Sequence, residues 1–144
     1  MRIRKSVFID RPPADVFSFV ADPSNDIRWR TYLLASSALG GLPLQVGSRV
    51  RQSYSYEGRA ASIELEVTAL ETDERIDFRT SGQYRGSASY TFRPEDDGTR
   101  FGFAISANVT GAAALMSGYI EKTAGSYLEG DLKRLKHALE SGEA

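Results

Sequence analysis

The amino-acid sequence predicts an α+β domain: a curved antiparallel sheet of about seven strands wrapped around one long C-terminal helix, with two short helices after the first strand. Three observations predict it. Apolar residues alternate with polar ones in run after run between residues 3 and 109, the period of strands with one covered and one solvated face. The connections between these runs are too short for parallel crossovers. Gly111 to Ser141 is the only long stretch whose apolar residues keep helical spacing.

Taken in order, Ile3, Val7 and Ile9 alternate with charged residues and predict the first strand. Asp10-Arg11-Pro12-Pro13, with Val16, Phe17 and Val20 following, reads as a helix start, because prolines are tolerated in a first turn and Asp15 lies near the positive end. Asp22-Pro23 ends that helix and seeds a second short one carrying Ile27 and Trp29. Residues 31–39 are apolar but poorly periodic and read as strand, and Gly40-Gly41, Pro43 and Gly47 mark a loop. Beyond it the period of two is clear. Val50, Gln52, Tyr54 and Tyr56 share a face; so do Ala61, Ile63, Leu65, Val67 and Ala69, after a hairpin turn at Glu57-Gly58. Ile76, Phe78 and Thr80 follow, then Tyr84, Ala88, Tyr90 and Phe92, and, after the turn Glu95-Asp96-Asp97-Gly98, Phe101, Phe103, Ile105, Ala107 and Val109.

The closing helix divides in two. At 100° per residue Met116, Ile120, Thr123 and Tyr127 share one face, whereas Leu128, Leu132, Leu135 and Leu139 share another, rotated by roughly a quarter-turn. The leucine half reads as ordinary packing on the sheet. The first half, with Tyr119 among its residues, is too polar for a dry core and too apolar for water, the composition of a cavity wall. Gly125 and Gly130 lie near the changeover, where each predicts a bend, a hinge or a close backbone approach.

Composition narrows the function. With 144 residues one domain, 1–144, is the default, and a formal net charge of -1 supplies no field to attract nucleic acid or an anionic membrane. The absence of cysteine excludes disulfides and thiolate chemistry, and a single histidine, His137, excludes a histidine-based metal cluster. No run is long and apolar enough for stable membrane insertion. The expectation is a soluble cytoplasmic protein, monomer or homodimer, that needs no metal or cofactor.

Ser6-Val7-Phe8-Ile9-Asp10-Arg11-Pro12-Pro13-Ala14-Asp15-Val16-Phe17-Ser18-Phe19-Val20-Ala21-Asp22-Pro23, then Trp29, with Val46-Gly47 opening the next strand, resembles the polyketide cyclase/dehydrase-like branch of the START/Bet v 1-like (SRPBCC) superfamily. The element order extends the resemblance over essentially the whole chain. It implies a helix-grip fold, the sheet wrapping the final helix around a large cavity for lipids, steroids, polyketides or other hydrophobic molecules. It also implies an aromatic, here Trp29, near the cavity entrance.

Candidate ligand-binding residues are Trp29, Gln52, Tyr54, Tyr56, Phe78, Tyr90, Phe103, Met116, Tyr119, Thr123 and Tyr127. Six of the seven tyrosines (54, 56, 84, 90, 119 and 127) fall on faces that period alone turns inward. A tyrosine joins an apolar body to a hydroxyl that needs a partner when buried, so converging tyrosines point to a greasy pocket that orients a few polar groups. Gln52 and Thr80 are the polar members of otherwise apolar inward faces. The charged residues fit a catalytic role less well. Glu64 and Glu66 share the solvent face of one strand, Glu95, Asp96 and Asp97 are turn residues, and His137 sits among charged neighbours near the chain end. Asp131 could approach the cavity, although Lys133 and Arg134 offer it surface partners, and every arginine on the regular strands faces outward. The leading reading is therefore a binder of a hydrophobic small molecule, with no catalytic residue assigned. The alternative is an enzyme catalysing cyclisation, dehydration or hydrolysis, with Tyr54, Tyr90 or Tyr119 as proton donor; an inward carboxylate or arginine near those tyrosines separates the two. A protein-interaction module would need an apolar outer sheet face, which the Ser/Arg/Glu character of that face opposes.

Overall fold

The computed structural model describes residues 1–56, 58–81, 85–108 and 117–142, without the side chains of residues 56, 59, 81, 117, 119 and 120. Seven strands, β1 (Arg2–Ile9), β2 (Leu33–Ala38), β3 (Arg49–Tyr56), β4 (Arg59–Glu71), β5 (Arg75–Ser81), β6 (Gly86–Glu95) and β7 (Gly98–Ala107), form one sheet in the order β1-β7-β6-β5-β4-β3-β2. Every neighbouring pair is antiparallel. Strands β2 to β7 are a meander, and β1 returns to pair with β7, so the sheet curls as the helix-grip fold requires. The turns have the expected chemistry. Gly58 takes φ +77° in the connection between the paired Tyr56 and Arg59, and Asp96 takes φ 52° between the paired Glu95 and Gly98.

Registration aligns the inward residues predicted from alternation. Gln52 pairs with Ile63, Val50 with Leu65, Val67 with Phe78, Ile76 with Tyr90 and Tyr90 with Phe103. One prediction fails in detail: the register shifts between Val67 and Ala69, so Leu70 rather than Ala69 takes the inward place, opposite Ile76. A bulge inserts one residue and reverses the alternation beyond it. On the outer face Glu64 pairs with Arg49 and Arg51, and Glu66 with Arg79, the solvated ladder that the sequence predicts.

After β1 come α1 (Pro13–Val20), burying Val16, Phe19 and Val20, and a short 3-10 helix (Pro23–Arg28) capped by Asp22, whose carboxylate accepts from Ser24 N at 3.0 Å. The C-terminal helix, α2 (Ser117–Glu140), runs unbroken through Gly125 and Gly130. Its residues Leu128, Leu132, Leu135 and Leu139 are buried in the core with Val16, Ile9, Phe92 and Phe101, whereas Tyr127 is 38% exposed; the rest of the comparison between the two halves falls on Met116, Tyr119 and Ile120, outside the described residues. A Cβ on Gly125 would lie 3.2 Å from the Lys5 side chain, a close approach to β1; a Cβ on Gly130 would meet nothing within 4 Å, so no close approach explains that glycine. The helix is strapped to the β1 edge. Lys5 pairs with Glu129 at 2.7 Å, Arg2 N donates to Glu121, Lys136 Nζ to Phe8 O, Asp10 N to Glu140 and Arg11 to Leu139 O.

Candidate functional site

The 3-10 helix sets the polar centre of the site. With three residues per turn, positions i and i+3 eclipse, so Pro23, Asp26 and, one step past its end, Trp29 share the inward face. The short helix expected to carry Ile27 and Trp29 is present, with Ile27 on it and Trp29 as its C-cap; Ile27 is 51% exposed, however, and Asp26 is buried at 4%. Trp29 is likewise displaced from the predicted entrance. It is fully buried, with edge-to-face contacts to Phe101 and Phe103 at 6.1 and 6.0 Å and a tilted one to Tyr90.

Asp26 Oδ2 accepts from Ser36 Oγ at 2.9 Å and from Gln52 Nε2 at 3.2 Å. Its Oδ1 and the Trp29 Nε1 are buried without a hydrogen-bond partner. Burial pushes the carboxyl up to about 6, with Asp22 adding to the rise, against the pull of Ser36, Arg30 and Gln52. Tyr90 is held far above the ordinary tyrosine range, chiefly by burial and then by the Asp26 charge, while the neighbouring Arg30 pulls the other way.

Arg30 follows directly. Its guanidinium lies over Trp29 at 5.6 Å and Phe103 at 5.0 Å, and its Nε donates to Asp131 Oδ2 at 3.2 Å. Asp131, on α2 and buried, also accepts from Thr31 N at 3.1 Å, from the Thr31 hydroxyl and from Arg134 at 2.5 Å. Arg134 is the partner that the sequence offered Asp131; the buried link to Arg30 is new. Four donors, two of them guanidiniums, thus share one carboxylate, locking the chain after the 3-10 helix to α2.

Around Arg30 lie two arms of a cavity. The helix-side arm, about 500 Å³, is bounded by Tyr32, Leu33 and Tyr54 on the sheet side and by Thr123, Ala124, Tyr127, Leu128 and Asp131 on α2. The sheet-side arm, about 160 Å³, is bounded by Leu65, Phe78, Thr80, Arg85, Ala88, Tyr90 and Phe103. Arg30, Gln52, Ile63 and Ile105 line both. A groove of about 470 Å³ on the opposite sheet face is lined by Arg2, Arg4, Asp77, Arg79 and a row of serines, the composition of a solvated surface.

Of the predicted site residues, the structure brings Gln52, Tyr54, Thr123 and Tyr127 to the helix-side arm and Gln52, Phe78, Tyr90, Phe103 and Thr80 to the sheet-side arm. Trp29 lines neither. Tyr84 and Met116, and the side chains of Tyr56, Tyr119 and Ile120, lie outside the described residues. Three residues escaped the sequence reading. Asp26 and Arg30 sit on or after a 3-10 turn, which an alternation or a 3.6-residue count does not register. Tyr32, whose ring meets Tyr127 edge-on at 5.1 Å, lies in the poorly periodic segment. Asp131 does approach the cavity, one of the two places its sequence context allows, but its bond to Arg30 has no signal in the sequence. The spacing of Pro23, Asp26 and the sole tryptophan, three residues apart each time, was the available signal. Among the described residues no group of three His, Cys, Asp or Glu side chains is placed to hold a metal ion, and no helix is long and apolar enough to cross a membrane.

The sequence profile of the family described as polyketide cyclase/dehydrase and lipid transport matches residues 1–140. Among solved structures, the Thermus thermophilus protein TTHA0849 superposes with a TM-score of 0.83 over 100% of both chains at 18% identity. The di-domain ARO/CYC BexL from the BE-7585A biosynthetic pathway superposes with a TM-score of 0.77 at 16% identity, over 97% of this chain and 46% of BexL. Ara h 8.0201 gives 0.69 at 13% identity over 98% of each chain. At such identities the likeness is one of fold. No curated protein matches the chain in sequence.

Proposed function

Since the chain belongs to the polyketide cyclase/dehydrase and lipid transport family, whose fold is a ligand-binding one, we propose that it binds an apolar small molecule between the sheet and α2. The observation that carries this reading is the helix-side arm: about 500 Å³, within the size range of small-molecule sites, walled largely by apolar and aromatic side chains, with a few convergent polar groups at Arg30, Gln52 and Asp131. Burial of the ligand's apolar body supplies the affinity, and the hydroxyls of Tyr54 and Tyr127, with Gln52, orient it. The absence of cysteine from the sequence supports a reducing, cytoplasmic setting. Native mass spectrometry of protein purified without detergent tests the proposal. The expected result is a co-purifying or added apolar molecule at one per chain, lost in a Tyr54→Ala/Tyr127→Ala double variant. Binding undiminished in that variant would refute the location.

A second reading, chemistry on the bound molecule, is favoured by one observation: an inward carboxylate and an inward arginine lie beside Tyr90, the arrangement that separates catalysis from binding alone. Asp26, with its carboxyl near 6, could exchange a proton at neutral pH, and Arg30 could stabilise an oxyanion formed on a substrate carbonyl in the sheet-side arm. Turnover of a polyketide-like poly-carbonyl substrate that is lost in Asp26→Asn, while binding persists, would support it.

A further inference from the structure

Among the described residues the charged groups lining the two arms are Arg30, which lines both, Asp131 in the helix-side arm and Arg85 in the sheet-side arm. Asp131 has its acceptor capacity filled by Arg30 Nε, Thr31 and Arg134. Arg30 is not so filled. Its Nε is used by Asp131, and its terminal nitrogens, held over the Trp29 and Phe103 rings, have only the neutral Tyr90 hydroxyl as a further partner among the described residues. Arg30 and Arg134 thus share the one Asp131 carboxylate, and among the described residues Asp26 is the other carboxyl that acts on Arg30, so the junction of the arms carries an excess positive charge when Asp26 holds its proton.

Resting on the binding reading above, we infer that the molecule held in the cavity carries one anionic oxygen group, a carboxylate, sulfonate or acidic enolate, seated on the terminal nitrogens of Arg30, with its apolar body in the helix-side arm. The planar guanidinium offers two parallel N–H donors to such a group, in a partly dry setting where a charge-assisted pair is strong. Proton linkage follows. The charged or titratable groups that act on Asp26 are Arg30, Asp22 and Tyr90, with Asp131 and Arg134 beyond Arg30. An anion on Arg30 offsets the pull that keeps Asp26 ionised and raises that carboxyl further, so binding takes up a proton and tightens as pH falls towards about 6, levelling off below it.

A matched pair of fluorescent probes tests this: anilinonaphthalenesulfonate, anionic at every pH used, and N-phenylnaphthylamine, nearly the same body without the sulfonate. Titration of the intact chain, with one-per-chain stoichiometry and mutual displacement checked by calorimetry, is expected to show the sulfonate binding more tightly than the amine. Arg30→Gln is expected to weaken the sulfonate roughly 10- to 100-fold and leave the amine within about 3-fold. Arg30→Lys, which keeps a positive charge beside Asp131, should recover part of the loss, and circular dichroism checks that both variants fold. Between pH 7.5 and 5 the wild-type sulfonate affinity should rise severalfold, and in Asp26→Asn it should stay flat. Equal affinity for the two probes, or an unchanged sulfonate affinity in Arg30→Gln, overturns the anion site while leaving apolar binding intact. Failure of both probes to bind overturns the binding reading itself and the anion site with it.

Discussion

Replacing Asp26 by asparagine should make this protein more stable, and the gain should depend on pH. The folded carboxyl titrates at about 6 against 3.8 for an unconstrained aspartate. At about 1.4 kcal/mol per tenfold difference, that gap is worth roughly 3 kcal/mol. The fold holds the proton more tightly than the unfolded chain does, so the contribution is fully present below pH 3.8, declines as pH rises, and is gone above about 6. Asparagine carries no charge to desolvate, and its side-chain oxygen still accepts from Ser36. The two proteins should therefore have similar stability near pH 4, and Asp26→Asn should be ahead by up to about 3 kcal/mol at pH 7.5, or roughly 6–12 °C in Tm for a chain of this size. Urea denaturation followed by circular dichroism at half-unit steps from pH 4 to 8 measures it. Taking the difference between the two curves cancels the titration of groups that do not interact with Asp26. A constant offset across the range, or a gain that grows towards acid, would refute the assignment of burial as the cause.

Other outcomes separate the parts of the structure. Leu135→Ala, at a fully buried position, should cost about 2–5 kcal/mol in urea unfolding without changing probe affinity, whereas Tyr127→Ala should weaken probe binding severalfold and cost under about 1 kcal/mol. Gly130→Ala meets nothing within 4 Å and should stabilise α2 by roughly 0.5–1 kcal/mol, while Gly125→Ala should gain less, because its Cβ presses the Lys5 side chain that pairs with Glu129; equal gains in thermal melts would contradict the close approach. Trp29, the single tryptophan, lies under Arg30, so occupation of the arms should change its emission, and an unchanged spectrum at saturating probe would place the ligand elsewhere.

The sheet was legible because its physics is repetitive. One face of each strand is dry, and a period of two reports it at Val50, Gln52, Leu65, Phe78, Tyr90 and Phe103 without knowledge of the neighbours. The leucine half of α2 was legible for the same reason at a period near 3.6. What escaped was local and aperiodic. One extra residue near Thr68 moved the inward place from Ala69 to Leu70. A turn tightened to three residues brought a carboxylate inside and left Ile27 in water, contrary to what hydrophobicity alone ranks. Arg30 was invisible to strand counting because it belongs to no strand, and its environment is made by Trp29, Phe103 and Asp131, which are drawn from well-separated parts of the chain. The polar centre is thus a tertiary product, whereas the greasy walls are written in the local pattern.

The strap between α2 and β1 has a consequence for how such a protein can change over evolutionary time. The bonds that hold the helix, from Lys5, Arg2, Asp10, Arg11 and Lys136, lie along the opposite margin of the sheet from Tyr32, Tyr54 and Gln52, and several of them use main-chain atoms that persist through substitution. Tyr32, Tyr54 and Tyr127 can therefore change without touching that strap, whereas Arg30 and Asp131, which line the same wall, also tie it to α2 and are not free in this way.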